Sequence, residues 1–406
     1  MTFSIWHQSS RPSRRYDLVI IGGGISGLST AYWMRKTRPS LAVAVLERAT
    51  VGAGASGRNA GFMTCGSIAH FHRQCANLGV EAALELWSMT KESHRLLVAE
   101  GLLDPTCGYQ QNGAFSLSRS VRYVEELREA AALLRANGEV VDDLASADAP
   151  LPSFAGGYWY GGDGQLDPMR LLHALRDAAG ATLYEGTNVL AIHPSNQHLR
   201  LETPTGVFEA ARVVVATNAY SPEWLPELDT WVRPLRAQAL ATAPATRRLP
   251  APIYAMDDWA YLRQAEDRRI VLGGFRPLAA EDEIGTEDSL HPSIHAALDI
   301  FLSRHCASLF DGAINVERRW SGALGYAPDA LPIVGELPVT PDGFFIGAHS
   351  GHGMGWGFIA AKRLVELMTR GSRPGALDVR RLDAPSAASG RPSPRSAAPP
   401  SRDREA

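Results

Sequence analysis

The sequence predicts an α/β fold in two parts: a mostly parallel sheet flanked by helices, and an inserted α+β unit built on an antiparallel sheet. Three observations predict it. An apolar run from Tyr16 to Ile21 enters a glycine turn that opens a helix. A second apolar run, Leu41 to Leu46, ends in an acid. From Leu235 to Gly322, spaced aromatic-rich runs follow one another with one helical stretch among them.

Tyr16 to Ile21 finishes on β-branched residues, as a strand buried on both faces requires. Gly22, Gly24 and Gly27 then fill the fixed positions of G-x-G-x-x-G, with Ile25 and Ser26 between the last two. The first glycine permits the tight turn, the second lets backbone approach a pyrophosphate, and the third lets the helix lie close to the strand. Free N–H groups and the dipole of the following helix, Leu28 to Lys36, favour the anion. Glu47 closes the second strand, where an acid can accept hydrogen bonds from ribose hydroxyls. Strand, turn, helix, strand and acid in register define a Rossmann-type dinucleotide-binding unit.

Ile68 to Leu97 and Ser120 to Asn137 carry helical spacing, and Gly108-Tyr109 and Gly113 to Leu117 read as short strands. Glycine and aromatic residues alternate from Gly156 to Gly164, and Asp167-Pro168 starts a helix through Ala179. Thr182 to Tyr184 and Asn188 to Ile192 read as strands. Leu199 to Glu202 and Val207 to Glu209 make a hairpin, and Arg212 to Ala219 a buried strand and turn. In the last third, Phe344 to Gly347 is a strand that enters a second glycine-rich turn, Ala348 to Gly357, and a helix through Leu367. The nucleotide-binding part is expected to be discontinuous, over 16–70, 155–222 and 328–375, with 71–154 and 223–327 as helical cover and substrate domain. Residues 1–15 form a lead-in. Residues 383–406, rich in Pro, Ser, Ala and Arg, form a disordered tail.

A chain of 406 residues, 45% hydrophobic and 20% charged, is long enough for two domains, and its net charge of −3 offers no basic stripe for nucleic acid. No run approaches the ~18 apolar residues of a membrane span. Four cysteines without C-x-x-C spacing are neither a disulfide framework nor a zinc site, so a cytoplasmic setting is expected. His349 and His352 have no third ligand nearby, and no metal is expected.

Beyond Glu47 and Arg48 the chain runs through a small-residue loop, Gly54-Ala55-Ser56-Gly57-Arg58-Asn59-Ala60-Gly61-Phe62. This stretch resembles the second cofactor-contacting loop of the D-amino-acid oxidase superfamily of FAD-dependent oxidoreductases. The turn Ala348-His349-Ser350-Gly351-His352-Gly353-Met354 resembles that family's closing turn, which points a helix start at the flavin, where negative charge develops on reduction. The resemblance spans roughly Tyr16 to Arg370 and implies a glutathione-reductase-like domain holding non-covalent FAD. It implies cofactor contacts from Gly22, Gly24, Ile25, Ser26, Gly27, Glu47, Arg48, Ala55, Ser56, Arg58, Asn59, Ala60, Gly61, Val189, Ser350, Gly351, His352, Gly353 and Met354.

The departures from the family's pattern bear on substrate. Trp320 to Asp329 keeps the register of W-x-G-x-R-P-x-T-P-D, but Leu324 stands where amino-acid-oxidising members carry a carboxylate-gripping arginine. Gly322 and Gly355 replace the flavin-bonded cysteine and the carboxylate-binding lysine of monomeric sarcosine oxidases, and Val271 replaces a lysine near oxygen. The chain is closest in motif to γ-glutamylputrescine oxidase and glycine-oxidase-like members. The resemblance implies oxidation of a C–N bond of a small amine by hydride transfer to flavin, followed by imine hydrolysis, with O2 reduced to H2O2. The chemistry is centred on the flavin, with no catalytic acid or base. Phe62, Trp259, Tyr261, Leu324, Tyr326 and Trp356 are the substrate candidates, and Arg263 and Arg276 are candidates to grip a carboxylate from a different strand. An FAD-dependent D-amino-acid or imino-acid dehydrogenase feeding a quinone, and a non-catalytic FAD subunit, remain open.

Overall fold

A computed structural model describes residues 14–382 except 196–197; the lead-in before Arg14 and the tail from 383 lie outside them. The described chain forms two compact units. The first comprises 14–58, 169–235 and 323–382, the second 59–168 and 236–322.

In the first unit, β1 (Arg14–Ile21), α1 (Ile25–Thr37), β2 (Val43–Leu46) and the single-turn α2 (Ala55–Arg58) come from the first segment. The middle segment gives α3 (Pro168–Ala179), β3 (Thr182–Tyr184), β4 (Ala191–Ser195), β5 (His198–Thr203) and β6 (Gly206–Val215). The last gives β7 (Ile333–Glu336), β8 (Gly343–Gly347) and α4 (Gly353–Arg370). The sheet runs β7-β8-β6-β1-β2-β3, with β5 on β6 and β4 on β5. Pairing is parallel from β8 through β6, β1 and β2 to β3, and antiparallel at β7. The α/β part of the expected fold is therefore present. Leu18, Val19 and Ile20 are at most 1% exposed, as the centre of such a sheet demands.

Several boundaries differ from expectation, each for a physical reason. β6 is one strand where two were expected, because Gly206 to Ala210 pairs with β5 while Phe208 to Val215 pairs with β1. Val189 precedes β4 and lies in coil; its side chain joins the core cluster under the sheet. Gly108-Tyr109 is not a strand, since Asp104 caps a one-turn helix, Pro105–Cys107, that ends on left-handed Gly108. The long helical stretches are each broken in two. Gly79, at φ 87°, separates Ile68–Leu78 from Val80–Ala99, and Leu127 separates Val121–Glu126 from Arg128–Ala136.

The second unit is built on an eight-stranded sheet in the order Val316–Tyr326, Arg233–Pro244, Arg269–Gly273, Ala260–Gln264, Ile253–Ala255, Ala114–Ser118, Gly156–Tyr160, Val141–Ala145. From Arg233–Pro244 to Val141–Ala145 it is antiparallel apart from the parallel pair Ile253–Ala255 with Ala114–Ser118. Gly156–Tyr160, expected with the nucleotide-binding domain, lies here instead, held between Ala114–Ser118 and Val141–Ala145. The helix Pro292–His305 covers one core cluster and Arg128–Ala136 another. All four cysteines are free, and no helix of the described residues is long and apolar enough to cross a membrane.

Candidate functional site

Gly22 continues the parallel ladder by donating to the Leu46 carbonyl at 2.8 Å, and then turns at φ 112°. A Cβ on Gly27 would collide with the Gly22 carbonyl oxygen, so only glycine lets α1 begin so near the end of β1. Gly24 is the N-cap of α1 and supplies no side-chain cap, and the first turn holds no acid. Its N-terminal donors are thus largely left for an anion; the Ile25 N–H is met by the Ser56 hydroxyl of α2 at 3.0 Å. This places the small-residue loop directly over the glycine turn.

Glu47 is fixed by backbone. Its Oε2 accepts from the Gly23 N–H at 2.7 Å and its Oε1 from the Ala49 N–H at 2.9 Å, leaving both oxygens able to accept once more. Arg48 is exposed, stacked 4.1 Å over the Tyr220 ring and 3.4 Å from Glu223. Arg58 Nε donates to the Ala53 carbonyl within its own loop.

The closing turn comes from the other end of the chain. Between β8 and α4, Ala348 (φ 53°), Ser350 (φ 50°) and Gly351 (φ 91°) all lie in the left-handed region, which costs a non-glycine residue of order 1 kcal/mol or more. The turn is held against that strain. Ala348 donates to Asn218 Oδ1 at 2.9 Å, Ser350 donates to the Gly325 carbonyl at 2.9 Å, and the Ser350 hydroxyl accepts from the Ala327 N–H at 3.3 Å. His349 Nε2 lies 2.7 Å from the Ser26 hydroxyl in the first turn of α1. α1 and α4 then pack closely: a Cβ on Gly357 would stand 2.8 Å from Ile25, and Trp33 Nε1 donates to the Phe358 carbonyl at 3.0 Å. Two glycine-rich helix starts therefore sit side by side, one from each end of the chain.

Sequence reasoning missed His349 and Asn218. The His349/His352 spacing directed attention to metal, whereas the partner of His349 is a serine 323 positions away. Among the described residues no group of three or more His, Cys, Asp or Glu is placed to hold a metal. Burial lowers the His349 pKa to about 4, so the ring is neutral at pH 7. Burial does the same to His94 in the second unit. An imidazole whose folded pKa lies below its unfolded value stabilises the fold above about 6.5 and loses that contribution as pH falls toward 4. The melting temperature is expected to drop across that window, and His349→Gln to drop less steeply; equal slopes would refute the assignment.

Of the substrate candidates, Tyr326 bridges to His349 and its hydroxyl lies beside Gly351, while Leu324 is half-buried on the same strand. Trp356 is buried in the first turn of α4. In the second unit, the Phe62 ring lies 5.9 Å from that of Tyr261 and 5.0 Å from that of Tyr254. Trp259 is 38% exposed, in a left-handed conformation (φ 52°), with Arg73 4.9 Å above its ring. Asn59 Oδ1 accepts from the Gly61 N–H at 2.7 Å, shaping the end of the loop.

A glycine-lined helix start, a backbone-locked acid at the end of the neighbouring strand and a second helix start beside them define a dinucleotide-binding oxidoreductase. The chain matches the DAO family, described as "FAD dependent oxidoreductase", over residues 17–367, and it belongs to that family. It is 26% identical to glycine oxidase of Geobacillus kaustophilus over 363 residues, covering 84% of this chain and 90% of that one. It is 25% identical to gamma-glutamylputrescine oxidoreductase of Escherichia coli over 372 residues, covering 87% and 83%. The crystal structure of the Geobacillus glycine oxidase superposes with a TM-score of 0.73 at 25% identity, covering 88% of this chain and 95% of that one. FAD is thus the cofactor, and the first unit fits it. A side chain at Gly22 or Gly27 would fill the cradle, and the Nδ1 of buried His349 has no partner among the described residues.

Proposed function

We propose that this chain oxidises a C–N bond of a small primary or secondary amine. When bound, FAD supplies the two-electron acceptor. The chain supplies position and charge. The start of α1 takes the diphosphate, Glu47 takes ribose hydroxyls, and Val189, whose side chain is in the core, can reach the adenine only through its backbone. Arg48, Ala55, Ser56, Arg58, Asn59, Ala60 and Gly61 extend that contact, and Ser350 to Met354 at the start of α4 stabilise the negative charge that reduction produces. The Tyr326 ring, whose hydroxyl lies beside Gly351, orients the amine, which must give up its ammonium proton before it can release hydride. The imine product is hydrolysed by water.

The observation that carries this reading is the pair of adjoining helix starts, one bearing the dinucleotide motif and the other a turn strained into shape. Leu324, standing where amino-acid oxidases of the family carry an arginine, favours an amine over a simple amino acid. With O2 as acceptor the second product is H2O2. Val271, standing where a lysine serves oxygen in some relatives, favours a second reading, in which electrons pass to a quinone. Anaerobic mixing of the purified protein with a panel of amines and amino acids tests the reaction, and flavin bleaching by amines is the expected result. Much faster bleaching by simple D- or L-amino acids would sink the amine assignment. Peroxide on readmission of air, against reduction of an artificial dye without peroxide, separates the two acceptors.

A further inference from the structure

In most buried polar networks the direction of each hydrogen bond is open, because hydroxyls donate and accept alike. In the second unit one network has a single direction. Arg319, on the strand Val316–Tyr326, donates from Nη1 to His295 Nδ1 at 3.1 Å and from Nη2 to Asp299 at 2.7 Å. A guanidinium only donates, so Nδ1 holds the lone pair and the proton of the neutral ring is on Nε2. Nε2 lies 3.2 Å from Gln238 Oε1. The nitrogen of that amide donates to both oxygens of Glu283 at 3.0 Å and to the Ser289 carbonyl at 3.1 Å. A carboxylate only accepts, so the far end of the chain demands the same order as the near end.

The network fastens one segment to the sheet. Gln238 is on the strand Arg233–Pro244, His295 is in the helix Pro292–His305, and Glu283 and Ser289 lie in the segment 280–291 that leads into that helix. Glu283 is 0% exposed. It is carried inside beside Arg236, whose guanidinium is 3.6 Å from it and 3.0 Å from Glu287, and whose backbone N–H donates to the Glu283 carbonyl at 2.7 Å. Ser321 Oγ donates to Asp288 at 3.1 Å. A buried acid stays inside only while donors face it, and two of those here come from an amide that His295 turns the right way. Burial and then Arg319 hold the His295 pKa below the ordinary histidine value; His291 adds to the lowering and Asp299 opposes it. A protonated ring would aim a second N–H at the Arg319 guanidinium. It must then turn away, toward Asp299 or solvent, and let go of Gln238. The His291–Asp282 pair, at 3.2 Å, strengthens on protonation, but the Asp282 side chain is 73% exposed and such a pair is worth little.

We propose that His295 is an acid-sensitive latch, and that its protonation releases the segment 280–291 from the sheet of the second unit. The latch is closed above the ordinary histidine pKa, about 6.5, and loosens as pH falls below it, because the released ring takes a proton more readily than the docked one. The device does not rest on the amine-oxidation reading.

The test is hydrogen–deuterium exchange of the full-length, FAD-loaded protein at about pH 7.5 and about pH 5.5, corrected for the intrinsic exchange rate. Peptides from 276–291 are compared with peptides from the strand Arg269–Gly273. Protection of the segment is expected to fall by up to about tenfold at the lower pH, the limit for one histidine taken a unit below its ordinary pKa. The strand should not change. His295→Gln cannot ionise, and Arg319→Met removes the guanidinium while leaving Asp299 to receive the ring; each is expected to show equal protection at the two pH values. A parent segment that does not respond to pH would overturn the proposal. So would a fall shared by the strand, which is global loosening, or an equal fall in the parent and both variants, which assigns the effect to another group. If His295→Gln has already released the segment at the higher pH, Arg319→Met decides: equal protection at both pH values supports the latch, and a fall as large as the parent's overturns it.

Discussion

Gly27→Val is expected to give a protein that holds no flavin. The new side chain would have to occupy the space of the Gly22 carbonyl oxygen, so α1 must move off β1 and take its N-terminal donors with it. Overpacking of this kind costs about 1–3 kcal/mol where neighbours can shift, and here the neighbour is backbone in a five-strand parallel ladder, so about 3 kcal/mol or more is expected. Gly24→Ala is the control. Its Cβ would stand 2.9 Å from the Ser56 hydroxyl, a side-chain end that can rotate away, so a loss of about 1 kcal/mol and weakened flavin retention are expected. The absorption spectrum of each purified variant and its melting temperature with and without added FAD provide the measurement. Stoichiometric flavin on the Gly27→Val protein would overturn the cradle.

The second large effect is expected in the second unit. Asp163 is 1% exposed in the second unit, where its Oδ1 accepts from the Cys65 N–H at 2.8 Å and its Oδ2 has no partner among the described residues. Burial pushes its pKa well above the ordinary carboxyl value. Such a group contributes fully below the unfolded pKa, about 3.9, and its contribution is lost as pH rises through the folded value. Asp163→Asn keeps the acceptor for Cys65 and never ionises. It is expected to melt progressively higher than the parent as pH rises from about 4 toward the alkaline side. Asp163→Ala removes the acceptor and leaves a void, costing about 2–4 kcal/mol at any pH. Parallel melting curves for the parent and Asp163→Asn across that range would show that the carboxyl is ionised in the fold.

How much of this was legible in the sequence follows the distance over which each feature is made. The turn Gly22 to Gly27 and the acid Glu47 lie within one β-α-β stretch, and local chemistry alone puts them in register. The helix start after Ser350 was legible for the same reason. Gly156–Tyr160 was assigned to the wrong unit because a short strand does not carry the address of its partners, here Ala114–Ser118 and Val141–Ala145. The continuity of β6 was hidden because its two halves pair with different neighbours. The Ser26–His349 contact was invisible, since neither residue type implies the other. Arg263 was visible as a charge in a strand; that it is buried, its Nε donating to the Ala60 carbonyl, is a property of the folded chain.

The contact between Ser26 and His349 joins residues 323 positions apart, and α1 rests on α4 through Gly357. During synthesis the dinucleotide motif leaves the ribosome first, and the helix that completes the cradle is among the last elements to emerge. Until then α1 lacks the neighbour that packs against its first turn. On the proposed function, the cradle is complete only in chains finished through α4.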